Sequence, residues 1–148
     1  MSKKHHSFPD FTIEFVPKAN YLVLLRQLMN FLAEYLGFDE NEALQLEMCL
    51  DEACSNSINA IEETGDCSQK IRIEIEIGET SLRIVVIDAG KNFSHHFEKA
   101  CPLTEDTDLT KRRGYGLKII KTFMDEVQYI HHPGVGNQLH LTKYLSKE

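Results

Sequence analysis

Strict alternation of apolar and polar positions is clearest in one segment of this chain, IRIEIEI from Ile71 to Ile77, which puts its isoleucines on one face and Arg72, Glu74 and Glu76 on the other. It predicts a strand with one buried side. LRIVVID, Leu82 to Asp88, follows after a turn at Gly78 to Ser81 and is apolar on both faces near its end, as an inner strand is. Asp88 therefore stands at a strand terminus. Upstream, FTIEFV from Phe11 to Val16 predicts a short strand stopped by Pro17. Helical spacing then takes over, with Tyr21, Leu24, Leu25, Leu28, Phe31 and Leu32 forming a stripe expected to be core and Gly37 ending the helix. Asp39, with Glu42 three residues later, makes a capping box. It opens a second helix, whose buried stripe is predicted at Leu46, Cys49, Leu50, Ala53, Ser57, Ala60 and Ile61, up to Gly65. From Ala89 to Lys111 no period is sustained, and a stretch of that length reads as a lid, placed at residues 91–112. Leu117, Ile120, Phe123, Met124 and Val127 predict a third helix, followed by a strand VQYIHH, a turn PGVGN and a closing strand QLHLTKYL.

These elements predict an α+β fold: a two-layer sandwich in which a mixed, mostly antiparallel sheet carries helices on one face. At 148 residues the chain is read as a single domain, 1–148. Composition narrows the partners. The formal net charge is -7 and the Lys and Arg residues are scattered, so a nucleic-acid footprint is missing. No apolar run reaches membrane-spanning length, and MSKKHHSF has no hydrophobic segment of the signal-peptide kind behind it, so no membrane partner and a cytoplasmic location are expected. Cys49, Cys54, Cys67 and Cys101 lack CxxC spacing and are expected to be free thiols. The pairs His5/His6, His95/His96 and His131/His132 read as surface histidines, because adjacent side chains diverge and no Cys or carboxylate joins them at ligand spacing.

Candidate chemistry gathers at three places. DEACSN sets Glu52 and Asn56 four residues apart on a helix, so a carboxylate and an amide project from one face. DAG sets Asp88 at a strand end with Gly90 two residues on. RRGYGL sets Gly114 and Gly116 at a helix entrance, where free N–H groups and the positive end of the helix dipole favour phosphate. There is no GxxxxGK[ST] motif, so a nucleotide would not be held by a Walker loop.

The order of helix E-x-x-x-N, strand-end D-x-G and G-x-G at a helix start resembles the GHKL, or Bergerat-fold, ATPases over most of the chain. The EACSN wording and the ending RGYGLKIIKTFMDEV look most like the bacterial anti-sigma-factor serine/threonine kinases. That resemblance implies the histidine-kinase-like ATPase fold, ATP and Mg2+ as cofactors, and an activity that phosphorylates an antagonist protein and sequesters a sigma factor. It implies Glu52 as general base, Asn56 as magnesium ligand and Asp88 as acceptor for the adenine amino group, with Gly90 letting the backbone approach the base. It further implies Gly114 and Gly116, with Leu117 beside them, as the phosphate cradle. Arg113 is preferred over Arg112 and Lys111 as the cation for the moving phosphoryl group. In the resembled kinases the first-helix region contributes to a homodimer. Two departures stand out: Asn92 where many relatives have a second glycine, and Ala60 where many have a histidine. The competing reading is a non-catalytic nucleotide-binding interaction module of the same fold. A histidine-kinase catalytic half is disfavoured, since too few residues precede the sandwich for a phosphoacceptor helix pair.

Overall fold

The computed structural model describes residues 8–92, 97–98 and 116–146. Its elements, in chain order, are β1 (Phe11–Phe15), a single 3-10 turn (Ala19–Tyr21), α1 (Leu22–Leu36), α2 (Glu40–Glu62), β2 (Ile71–Ile77), β3 (Ser81–Asp88), α3 (Gly116–Phe123), β4 (Glu126–His132) and β5 (Gly136–Tyr144). The five strands form one sheet in the order β1-β2-β3-β5-β4. All four pairings are antiparallel, so the sheet predicted as mixed and mostly antiparallel is antiparallel throughout. β3 lies at its centre, which is why LRIVVID could be apolar on both faces.

Helix α2 is the spine of the helical layer, packed by α1 on one side and α3 on the other. Its start is capped as the sequence predicts, with the Glu42 amide donating to Asp39 Oδ1 at 2.7 Å. All seven of its predicted core positions are buried. Five of them, Leu46, Cys49, Leu50, Ala53 and Ile61, meet Ile71, Ile73 and Ile75 of β2 and Leu82, Ile84 and Val86 of β3 in one cluster. Each such side chain taken fully out of water contributes about 2 kcal/mol of transfer free energy.

Three boundaries differ from expectation. In α1 the buried residues are Leu22, Leu25, Met29 and Ala33, whereas Leu24, Leu28 and Phe31 of the predicted stripe are 62%, 44% and 69% exposed. The helix is apolar around most of its girth and α2 covers only one side, so periodicity alone could not choose the side. Val127, assigned to the third helix, belongs to β4, because α3 ends at Phe123. Gly136 and Asn137, assigned to a turn, open β5 instead, since both pair across the sheet with partners on β4 and Asn137 also with β3. Cys49, Cys54 and Cys67 are free thiols, the first two buried, and burial pushes the Cys49 thiol up to about 12. Cys101 and His95/His96 lie outside the described residues, as does most of the 91–112 segment. No helix among the described residues is long and apolar enough to cross a membrane.

Candidate functional site

The helical period of α2 places Glu52, Asn56 and Ser57 along its C-terminal half, facing the start of α3 and the end of β3. Glu52 meets α3, because a Cβ built on Gly116 would lie 2.4 Å from Glu52 Oε2. Half-buried there, the carboxyl is held above its ordinary value, first by desolvation and then by the negative charge of Asp51. Asp51 is in turn tied to α1, accepting from Arg26 at 2.6 Å. One turn further along, the Asn56 amide has its Nδ2 buried with no hydrogen-bond partner among the described residues. Such an orphan costs free energy unless a ligand or water completes it.

At the other end of the same helix stretch, Asp88 is only 4% exposed and heavily engaged. The Ser57 hydroxyl donates to Asp88 Oδ2 at 2.7 Å. The Gly90 amide donates to Oδ1 at 2.8 Å, and Asn137 Nδ2 to the same oxygen at 2.9 Å. Gly90 is required here by α2: a Cβ at this position would sit 2.6 Å from both the carbonyl carbon and the Cβ of Ala60. The Lys91 amide then donates to the Ala60 carbonyl at 3.1 Å, so the chain leaving β3 is sewn to α2. This contact also gives a reason for a residue as small as alanine at position 60. Gly136 is equally constrained, since its φ is +141° and a Cβ would lie 2.0 Å from the Asp88 carbonyl oxygen.

Of the sequence-predicted residues, the fold gathers Glu52, Asn56, Asp88, Gly90 and Gly116 around the C-terminal half of α2. Leu117 buries its side chain in the core, so what it can offer a ligand is a backbone N–H in the first turn of α3. Arg113 and Gly114, with Lys111 and Arg112, lie outside the described residues. Sequence reasoning missed Ser57, read only as part of a core stripe, and Asn137, read as turn. It also missed Tyr129, whose hydroxyl lies within hydrogen-bonding reach of Asn92 Oδ1, at 3.0 Å, and of Asn137 Oδ1, and donates its one hydrogen to either. Extending the alternation of Leu141 and Leu139 back by two residues would have put Asn137 on the core face.

A domain family described as histidine kinase-like ATPase matches residues 15–143. The chain is 30% identical over 137 residues to the serine-protein kinase RsbW of Bacillus mycoides, covering 88% of this chain and 82% of that one. The RsbW serine-protein kinase of Bacillus thuringiensis is 28% identical over the same span. Among solved structures, a chain of the SiaB–SiaC complex from Pseudomonas aeruginosa superposes with a TM-score of 0.67 at 10% identity, covering 93% of this chain and 91% of that one, which is a likeness of fold.

Proposed function

The chain belongs to the histidine kinase-like ATPase family and, within it, groups with the RsbW serine-protein kinases, and from that premise we propose an ATP- and magnesium-dependent kinase of the anti-sigma-factor type. It phosphorylates a serine or threonine of a small antagonist protein and, when not engaged with that protein, sequesters a sigma factor. The observation that carries this reading is the layout of α2. A half-buried carboxylate facing the start of α3, an amide whose buried nitrogen lacks a partner among the described residues and a hydroxyl bound to Asp88 follow one another within six residues.

In this reading Asp88 accepts from the adenine amino group, and the N–H groups at the start of α3 face the phosphates beside Gly116. Glu52 takes the proton of the incoming hydroxyl as its oxygen bonds to the γ-phosphorus and the bond to the β–γ bridging oxygen breaks, releasing ADP. Its carboxyl, raised by burial, is closer to neutrality and so better matched to moving a proton in the cell's pH range. Arg113 offsets the charge of the transferring group. A magnesium ion would be held by the Asn56 amide oxygen, a hard donor that this side chain can turn toward it because its Nδ2 is tied to no partner among the described residues. When bound, that ion neutralises phosphate charge. The apolar face left bare on α1, with Leu24, Leu28, Phe31 and Tyr35 exposed, is the surface on which a second copy would pair.

Two measurements test the proposal together. Calorimetric titration with ATP and magnesium should show saturable binding by the wild type and its loss in Asp88→Asn. Transfer of label from γ-labelled ATP to a serine-bearing antagonist should occur with the wild type and fail with Glu52→Gln. Binding without transfer by the wild type would return the chain to the non-catalytic module. Equal transfer by both proteins would remove Glu52 as the base.

A further inference from the structure

Asn137 is 1% exposed, and every hydrogen-bonding group of its side chain is matched. Its Nδ2 donates to Asp88 Oδ1 and to the Lys91 carbonyl, each at 2.9 Å. A carboxylate and a carbonyl only accept, so these two partners fix which end of the amide carries the hydrogens. The Oδ1 end is met by the Tyr129 hydroxyl and by His131 Nδ1, the latter at 2.9 Å. Sheet register explains the convergence. Asn137 stands directly opposite Asp88 on one side and His131 on the other, and Tyr129 lies two residues before His131 on the same face.

The consequence falls on Asp88. Its Oδ1 already takes two donors, Gly90 N–H and Asn137 Nδ2, while its Oδ2 takes one among the described residues, the Ser57 hydroxyl. A carboxylate oxygen accommodates about two donors, so acceptor capacity remains on Oδ2. We propose that Asn137, held in orientation by Tyr129 and His131, is a positioning residue that occupies Oδ1 and reserves Oδ2 of Asp88 for the exocyclic amino group of a purine. The network thus selects 6-aminopurine nucleotides. This rests on the reading of Asp88 as the base acceptor. Without Asn137, Oδ1 loses one of its two donors and the carboxylate is no longer held with Oδ2 turned toward the ligand. Without the donors on β4, the amide oxygen loses its partners and the side chain is held only through its two donated bonds, to Asp88 and Lys91.

The test compares ATP with purine riboside triphosphate, which lacks the 6-amino group, by calorimetric titration in the presence of magnesium. The proteins are the wild type, Asp88→Asn, Asn137→Ala and Tyr129→Phe, each checked for folding by thermal melting. The wild type should prefer ATP. Asn137→Ala and Tyr129→Phe should weaken ATP about tenfold while changing the Kd for the unsubstituted purine by less than about twofold, so the preference shrinks. Equal weakening of both nucleotides would make the network merely structural and overturn the proposal, as would no weakening of either. Asp88→Asn separates the two readings. Its new amide must turn its oxygen to the donors at Oδ1 and so presents an amino group at the Oδ2 position. If it binds ATP as the wild type does, the site assignment itself has failed. If it loses ATP while the other two variants keep the preference, only the positioning role has. Should Asn137→Ala not fold, Tyr129→Phe decides, since it keeps the ring and removes one hydroxyl, with Asn92→Ala as the control for that hydroxyl's other partner.

Discussion

As the proposed base, Glu52 would serve chemistry at the expense of stability. Its folded carboxyl is raised by desolvation and by Asp51, so the folded state binds its proton more readily than the unfolded chain does. The sign follows: stability is greatest below the unfolded value and falls as pH rises from there through the raised folded value. Glu52→Gln, which carries no charge, should therefore melt at a higher temperature than the wild type at pH 7 to 8. It should also lose about 10²- to 10⁴-fold in kcat for phosphoryl transfer. Thermal melting and a transfer assay on the same preparation check both arms, and a lower melting temperature would contradict the assigned cause. Glu52, Asn56 and Asp88 were legible in the sequence because each sits in a short motif whose letters are local. Ser57 and Asn137 were not, because they act on Asp88 from 31 and 49 residues away, and only folding brings those positions together.

At the scale of elements, legibility followed how one-sided each element is. Helix α2 has a polar side to contrast with its stripe, and its core positions could be read directly. Helix α1 offers two apolar stripes, and only packing against α2 decides that Leu25 and Met29 go in while Leu24 and Leu28 stay out. The start of β5 was hidden because glycine and asparagine signal turns in isolation, whereas here Gly136 is required by the closeness of the Asp88 backbone. The junction between α2 and α3 gives a sharp test. Gly116→Ala adds a methyl 2.4 Å from Glu52 Oε2, the movable tip of a flexible side chain, so the carboxylate yields and the fold does not. Gly116 is the first residue of α3, where glycine carries little of the penalty it has in a helix interior, so the exchange itself changes stability little. The variant should keep its melting temperature and yet lose on the order of tenfold in kcat if Glu52 is the base, since a misplaced base costs rate steeply. A matching fall in stability would show that the neighbouring backbone had moved instead.

At the scale of the whole molecule, the described helices lie on one face of the sheet, and the other face carries its own titrating group. His140 is held below its ordinary 6.5 by burial and by the charge of Arg83, against the opposing pull of Glu76. Its Nδ1 faces Arg83 NH2 at 2.7 Å and its Nε2 faces Gln138 Oε1 at 3.0 Å, an arrangement that fits the neutral ring donating through Nε2. Because the unfolded chain takes up this proton first, stability contributed here is complete above the ordinary value and is lost as pH falls through it toward the lower folded one. His140→Gln should flatten that acid limb in urea titrations between pH 7 and pH 5, and an unchanged limb would assign it to other groups. On the opposite side of the molecule, the double variant Leu28→Lys, Phe31→Lys should convert a dimeric wild type to a monomer in analytical ultracentrifugation, with far-UV circular dichroism unaltered because both residues are exposed in the single chain. A dimer that persists would place the pairing surface elsewhere. Finally, α2 acts as a ruler. With a rise of about 1.5 Å and a turn of about 100° per residue, it sets the offset from Glu52 to Asn56 at roughly 6 Å with both on one side. Inserting a single residue between them would swing one of the pair about a quarter-turn out of line, so this stretch can drift in spelling among descendants far more freely than it can change in length.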